Sequence, residues 1–126
     1  MLYGLWLPFD DRTPERFANF QSTLSLLEAE LKNNSQSIVI FIGDFNSDLD
    51  RSNRYDQKLK NFVISNKLTE TFDLFDQVCN YTYTKAEYRA KIDHIFVNEE
   101  ALLSVEFSSI LEDGECLSDH KAVKAV

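Results

Sequence analysis

The chain is poor in several residue types that mark common protein classes. Among its 126 residues are three glycines, two prolines and two cysteines. The glycines are too scattered for a nucleotide-binding P-loop or a dinucleotide fingerprint, which need close spacing. Two cysteines are too few for a disulfide framework or a thiolate zinc site. We therefore expect a reduced, intracellular protein of the nucleus or cytoplasm, not a secreted one.

Long hydrophobic runs are also missing. The longest is IVIFI at residues 38–42, far below the roughly 20 residues that cross a bilayer. The apolar start, residues 1–9, lacks the charged and small-residue flanks of a signal peptide. We expect no membrane partner. The composition that remains, 44% hydrophobic and 27% charged, is that of a globular domain.

Charge is uneven along the chain. The net charge is −8, yet residues 51–91 carry eight bases and five acids, a net of +3. A positive segment between acidic flanks suits contact with a phosphate backbone, although solvated helix and loop faces explain the same pattern. The candidate nucleic-acid-binding residues are Arg51, Arg54, Lys58, Lys85 and Arg89.

The order of predicted elements indicates an α/β fold. A short buried strand at residues 2–7 precedes a helix of about 18 residues that starts at Thr13-Pro14, a capping hydroxyl followed by proline. Residues 38–42 are apolar on both faces and predict a central strand. A second helix is predicted over residues 55–67. Extended segments follow at residues 71–75, 81–84, 91–97 and 105–111, so we expect a layered α/β structure.

Polar residues follow the central strand and suggest a site. In extended backbone Asp44 and Asn46 of Gly-Asp-Phe-Asn point to the same side, at a strand end where α/β folds bind ligands. A carboxylate beside a carboxamide suits a water-activating base next to a phosphate contact. A turn with asparagine in a permissive conformation fits the tetrapeptide equally well.

Two later segments contain the only histidines. In Ile92-Asp93-His94 the aspartate shares a strand face with aliphatic residues and needs a partner, whereas His94 fits a packed strand histidine better than a ligand. In Ser118-Asp119-His120 the two ionisable side chains diverge, so each serves a different neighbour. We expect Asp119 to face a metal ion and His120 a carboxylate such as Asp93; a polar turn is the simpler alternative.

Taken together, GDFN, IDH and SDH in this order resemble the endonuclease/exonuclease/phosphatase family. Within that family, the sequence most resembles the apurinic-type endonuclease domain of non-LTR (LINE-like) retrotransposons. The segment Trp6-Leu7-Pro8 lies where that family has Tyr-x-Pro, and a YTYT segment precedes the IDH strand. The resemblance implies two β-sheets packed face to face with outer helices.

The resemblance also implies a division of roles. Asp44 would orient or deprotonate the attacking water, and Asn46 would contact the scissile phosphate. Asp93 would orient His120, whose imidazole stabilises developing negative charge. Asp119 would be a ligand of Mg²⁺, or of Mn²⁺. DNA is the implied partner.

Two departures qualify these expectations. Trp6 replaces a tyrosine that contacts phosphate, and an indole N–H has a different reach from a phenol. The family's asparagine and main metal-binding glutamate lie on strands ahead of Trp6, and this chain begins five residues before it. We therefore expect a single partial domain over residues 1–126, with the N-terminal strands missing and Mg²⁺ bound weakly.

Several functions stay open on this basis. The first is a retroelement endonuclease, inactive as this chain alone, with a missing N-terminal half or a downstream reverse transcriptase as partner. The second is a non-catalytic α/β module derived from the same fold. The third is a phosphatase of the same family, because fold does not fix substrate.

Overall fold

The structure, a computed structural model, describes residues 1–112 and 118–126. The strands and helices alternate at first and then become mostly short strands. In chain order they are β1 (Leu2–Trp6), α1 (Pro14–Asn33), β2 (Ile40–Asp44), α2 (Arg54–Ser65), β3 (Thr69–Glu70), β4 (Tyr83–Lys85), β5 (Tyr88–Ala90), β6 (Asp93–Val97), α3 (Glu99–Leu102), β7 (Ser108–Ile110) and β8 (Val123–Ala125). The predicted α/β class is confirmed. No helix within these residues is long and apolar enough to cross a membrane.

The main sheet has four strands in the order β1-β2-β6-β3. β1 runs parallel to β2, while β6 is antiparallel to both β2 and β3. β4 and β5 form a hairpin, and β7 pairs with β8. The apolar strand predicted to be central is β2, flanked on both sides. Its end, Asp44, lies opposite Asp93 at the start of β6.

Two hydrophobic clusters lie on opposite faces of this sheet. The first joins α1 and α2 to β2 and β6, with Phe20, Tyr55, Phe41 and Phe96 fully buried. The second fills the other face between β6, β7 and the segment after β3, and its buried members are Phe72, Cys79, Ile95 and Ile110. The sheet is therefore layered between helices and the β7–β8 pair.

The helices begin where the sequence predicts. Thr13 caps α1 with its hydroxyl accepting from the Arg16 N–H at 3.4 Å, and proline follows in the first turn. Phe20, Leu24 and Leu27, spaced four and three residues apart on one face of α1, enter the core. Asn53 and Asp56 form a reciprocal capping box on α2, which satisfies backbone N–H groups that a helix start leaves free.

Two predicted segments differ from the structure. The strand over residues 2–7 is a sheet edge instead of a buried strand, and Leu2 and Trp6 on it are exposed. The segment at residues 71–75 is a 3₁₀ helix, Thr71–Leu74. Thr71 and Phe72 are both buried, and a strand with one solvated face cannot bury consecutive side chains.

Candidate active site

Asp44 ends the central strand and lies at the middle of the site. The preceding Gly43 has φ of +146°, and a Cβ there would stand 2.0 Å from the Leu5 carbonyl oxygen. Only glycine lets β2 run this close to β1. Partial burial raises the pKa of Asp44, the Asn46 N–H lowers it, and the charge of Asp93 raises it further, with a net increase. Asp44 thus becomes a better proton acceptor.

Asn46 follows in a left-handed turn, not in extended backbone. Its φ is 49°, which asparagine tolerates better than most residues. Its backbone N–H donates to Asp44 Oδ1 at 2.8 Å, and its side-chain nitrogen donates to Asp44 Oδ2 at 3.2 Å and to the Leu7 carbonyl at 2.7 Å. Of the two interpretations of this tetrapeptide, the structure therefore shows the turn and not the extended backbone. The turn brings Asp44 and Asn46 into contact.

His120 pairs with Asp93, as predicted. Its Nδ1 lies 2.8 Å from Asp93 Oδ2. The backbone around the pair is fixed by Thr82, whose hydroxyl accepts the N–H groups of Ile92 and Asp93 at 3.0 Å each. His120 itself bridges to Tyr83 on β4, and their rings are 5.0 Å apart. The C-terminal SDH segment is thereby held against the β4–β5 hairpin.

Three ionisable groups converge here. Asp44, Asp93 and His120 each offer one ligand atom, and these atoms lie within 4.8 Å of one another. Partial burial lowers the pKa of His120, but the hydrogen bond and charge of Asp93 outweigh it, so the pKa is raised. His120 is thus biased toward the cationic form, with one carboxylate orienting it and a second nearby.

The other histidine points away, as predicted. His94 is completely buried, with Nδ1 against the Glu70 carboxylate and Nε2 2.8 Å from the Ser47 carbonyl oxygen. Its ring stacks on Phe96 at 5.0 Å. Burial lowers the pKa of His94 and Glu70 raises it, with a net increase. The interpretation of His94 as a packed strand histidine is confirmed.

Asp119 and Trp6 lie at the margin of the site. The Asp119 side chain is exposed and is not part of the three-residue cluster, while its carbonyl accepts the Thr84 N–H at 2.9 Å. Trp6, the register partner of Asp44, is 81% exposed. Their predicted roles in metal binding and phosphate contact stay predictions.

A cleft of about 590 Å³ opens beside these groups. Its lining includes Asn46 and His120 from the site together with Arg51, Lys85 and Tyr88. The Arg51 guanidinium bonds the Tyr88 hydroxyl and lies 3.0 Å from buried Asp56. Two of the five predicted basic residues therefore border the cleft.

The other three basic residues lie elsewhere. Arg54 sits 4.6 Å above the ring of Phe17. Lys58 borders a depression between α1 and α2 that shares no residue with the cleft. Arg89 sits 4.6 Å over the ring of Tyr81. Their predicted contact with nucleic acid stays a prediction.

The donor set suits a hard divalent cation. Carboxylate oxygens are the ligands that Mg²⁺ and Mn²⁺ prefer, and Asp44 and Asp93 place two of them together. The raised pKa of Asp44 reflects partial burial and the charge of Asp93, and a cation would relieve both. His120 fits less well, because these cations prefer oxygen ligands and the raised pKa of His120 favours the protonated imidazole, which cannot bind a metal.

Comparison with known proteins identifies the family. The model of the endonuclease/exonuclease/phosphatase family matches residues 7–120, which include all of the converging residues described above. The chain belongs to this family. No significant match was found among curated proteins.

Solved structures of the family share the fold. The 3′-5′ exonuclease NExo from Neisseria meningitidis superposes with a TM-score of 0.78 at 16% identity, over 99% of this chain and 60% of that one. The Xenopus laevis APE2 catalytic domain superposes with a TM-score of 0.72 at 26% identity, over 99% of this chain and 49% of that one. The endonuclease domain of TRAS1, a telomere-specific non-LTR retrotransposon, superposes with a TM-score of 0.67 at 19% identity, over 82% of this chain and 49% of that one. The chain thus spans about half to 60% of the length of these three family structures.

Sequence reasoning missed two residues with structural roles, one beside the site and one in the core. Thr82 lies within the YTYT segment, yet nothing in the sequence shows that its hydroxyl would hold the backbone of Asp93. Glu70 is the buried partner of His94, and its two-residue strand is too short to give a periodic signal. Both contacts join segments more than ten residues apart.

Proposed function

We propose that this chain contributes the acid–base side of a metal-dependent phosphodiesterase site that acts on nucleic acid, of the retroelement endonuclease type. The observation that carries the proposal is the Asp93–His120 hydrogen bond of 2.8 Å beside the carboxylate of Asp44. A base, an oriented imidazole and an adjacent acidic ligand are the groups that phosphodiester hydrolysis needs.

Each residue has a task that follows from its surroundings. Asp44, with its raised pKa, accepts the proton of the attacking water. His120 is biased toward the imidazolium form by Asp93 and opposes the charge that builds on phosphate oxygens. Asn46 holds the Asp44 carboxylate through two N–H donors. A bound divalent cation would neutralise further phosphate charge, with Asp119 as its ligand in this chain.

The isolated chain is expected to be inactive. Mg²⁺ requires near-octahedral oxygen coordination, and within the described residues the converging cluster holds only two carboxylates, one of them bonded to His120. We propose that further ligands come from additional polypeptide, within a domain of which residues 1–126 are one part. The resemblance to retroelement enzymes makes a reverse transcriptase the expected neighbour.

Nucleic acid is favoured as the substrate. Arg51 and Lys85 border the cleft and Tyr88 adds an aromatic face, a combination suited to a phosphate backbone with bases attached. NExo is described as an exonuclease and the TRAS1 domain as an endonuclease. A phosphatase of the same family and a non-catalytic module remain alternatives. We place the protein inside the cell, in nucleus or cytoplasm; Cys79 is a free, buried thiol.

Plasmid nicking and a binding assay together test the proposal. We expect no nicking by the purified chain above background with Mg²⁺ or Mn²⁺, so nicking that vanishes in His120→Ala would contradict the inactivity. Independently, titration with the dinucleotide TpT should shift the ring ¹⁵N signals of His120 and should not do so in Asp93→Asn to the same extent. Failure of TpT to perturb His120 would reject the phosphodiesterase site.

A further inference from the structure

An aromatic groove adjoins the candidate site and shares Phe9 with the cleft. It has a volume of about 240 Å³ and is lined by Trp6, Leu7, Pro8, Phe9, Arg16 and Asn19. Its two aromatic rings face solvent, since Trp6 is 81% exposed and Phe9 49%. Exposed apolar surface that lines a groove can mark a ligand-binding site.

The groove is attached directly to the site. Leu7 donates its N–H to the Asp44 carbonyl at 2.8 Å and accepts from the Asn46 side chain at 2.7 Å. Trp6 is the register partner of Asp44 on the neighbouring strand, so their backbones are about 4.8 Å apart. A ligand whose phosphate lies at Asp44 therefore has its next group within reach of the indole.

The chemistry of the groove suits a flat ring with polar edges. The Arg16 guanidinium lies 4.5 Å over the Phe9 ring, and its Nε is 3.1 Å from Asp11, which holds it in place. Asn19 adds a carboxamide at the rim. Aromatic faces bind nucleobases by stacking regardless of base identity, and arginine and amide groups bond to base edges.

We propose that Trp6 and Phe9 form a stacking platform for an unpaired nucleobase next to the phosphate at Asp44. The inference rests on the proposed function and extends it to substrate choice. A base inside a duplex is already stacked on both faces and cannot offer one to an indole. The platform therefore selects single-stranded nucleic acid, or a strand unstacked at this nucleotide, over intact duplex.

The test compares oligomers that carry equal phosphate but differ in their bases. Trp6 is the only tryptophan, so its fluorescence reports directly on the groove. Titration of the chain with single-stranded dT8 should quench it, whereas an eight-unit abasic oligomer and a hairpin duplex of the same charge should not. Trp6→Thr, which keeps strand propensity, should weaken dT8 binding about tenfold, as loss of one stacked base does.

Matched variants make the result decisive. Trp6→Tyr should retain most of the affinity for dT8, and Ile64→Ala, at an exposed site on α2, should retain all of it. If Trp6→Thr weakens binding of dT8 and the abasic oligomer equally, Trp6 contacts phosphate and the platform is refuted. Equal binding of duplex and dT8 also refutes it. If no oligomer shifts the His120 ring signals, the proposed function itself fails.

Discussion

The two histidines of this chain form similar pairs in opposite surroundings. His94 with Glu70 is completely buried, and both ring nitrogens have partners. His120 with Asp93 is about one-third exposed at the imidazole and opens onto the cleft; within the described residues its Nε2 makes no hydrogen bond. A buried imidazole whose two ring nitrogens are both hydrogen-bonded can only support the fold. An imidazole with one nitrogen fixed and the other facing a cleft can meet a substrate.

The contrast between the two histidine pairs predicts its largest effect on the free energy of unfolding. His94→Ala should lower the free energy of unfolding by about 3–5 kcal/mol, because it leaves the buried Glu70 carboxylate without a charged partner. His120→Ala should cost less than about 1 kcal/mol, as expected for a partly exposed pair. Urea unfolding followed by circular dichroism measures both. Similar losses for the two variants would mean that the pairs do not differ in role.

A second prediction concerns the pH dependence of the buried pair. Because the pKa of His94 is raised in the folded state, its stabilisation is fully present below about pH 6.5, the unfolded value, and is lost as pH rises through the folded pKa. The free energy of unfolding should therefore fall as pH rises above about 6.5. Glu70→Gln removes the charge that raises this pKa and should flatten the fall. If the free energy of unfolding of the variant falls with pH as steeply as that of the wild type, groups other than His94 and Glu70 cause the fall.

The sequence predicts the parts of the molecule that depend on neighbours in the chain. Thr13-Pro14 and the spacing of Phe20, Leu24 and Leu27 define α1, because capping and helical periodicity are local. Residue chemistry made Asp93 a candidate partner of His120, with a polar turn as the alternative, and the family resemblance favoured the pair. The choice between extended backbone and a turn at Asn46 could not be made from local sequence. The turn is held by the Leu7 carbonyl, which lies 39 positions away in the chain.

Burial was the property least readable from sequence. Residues 2–7 are apolar enough for a buried strand, yet β1 is an edge, because exposure depends on which strands pair beside it. Glu70 is fully enclosed although an isolated glutamate is normally exposed. Its burial depends on His94, which meets it across paired strands. Such pairs are invisible until both strands are placed.

The smallest predicted effect concerns salt and the basic residues. Lys85 borders the cleft beside His120, whereas Lys58 lies between the helices. Lys85→Ala should weaken dT8 binding and reduce the slope of log affinity against log salt by about 0.7, the value for one lost phosphate contact on a single strand. Lys58→Ala should change neither. Fluorescence anisotropy of labelled dT8 at several salt concentrations gives the slope for each variant. Equal slopes for Lys85→Ala and Lys58→Ala would mean that the strand does not bind in the cleft.

The most direct test follows both histidines in one sample. In ¹⁵N-histidine-labelled protein, the ring nitrogens of His94 and His120 give separate signals, and these are the only two histidines. Addition of TpT with Mg²⁺ should shift His120 Nε2 progressively while both His94 nitrogens stay unchanged. Movement of His94 alone, or equal movement of both, would contradict the division between a histidine that supports the fold and one that meets the phosphodiester.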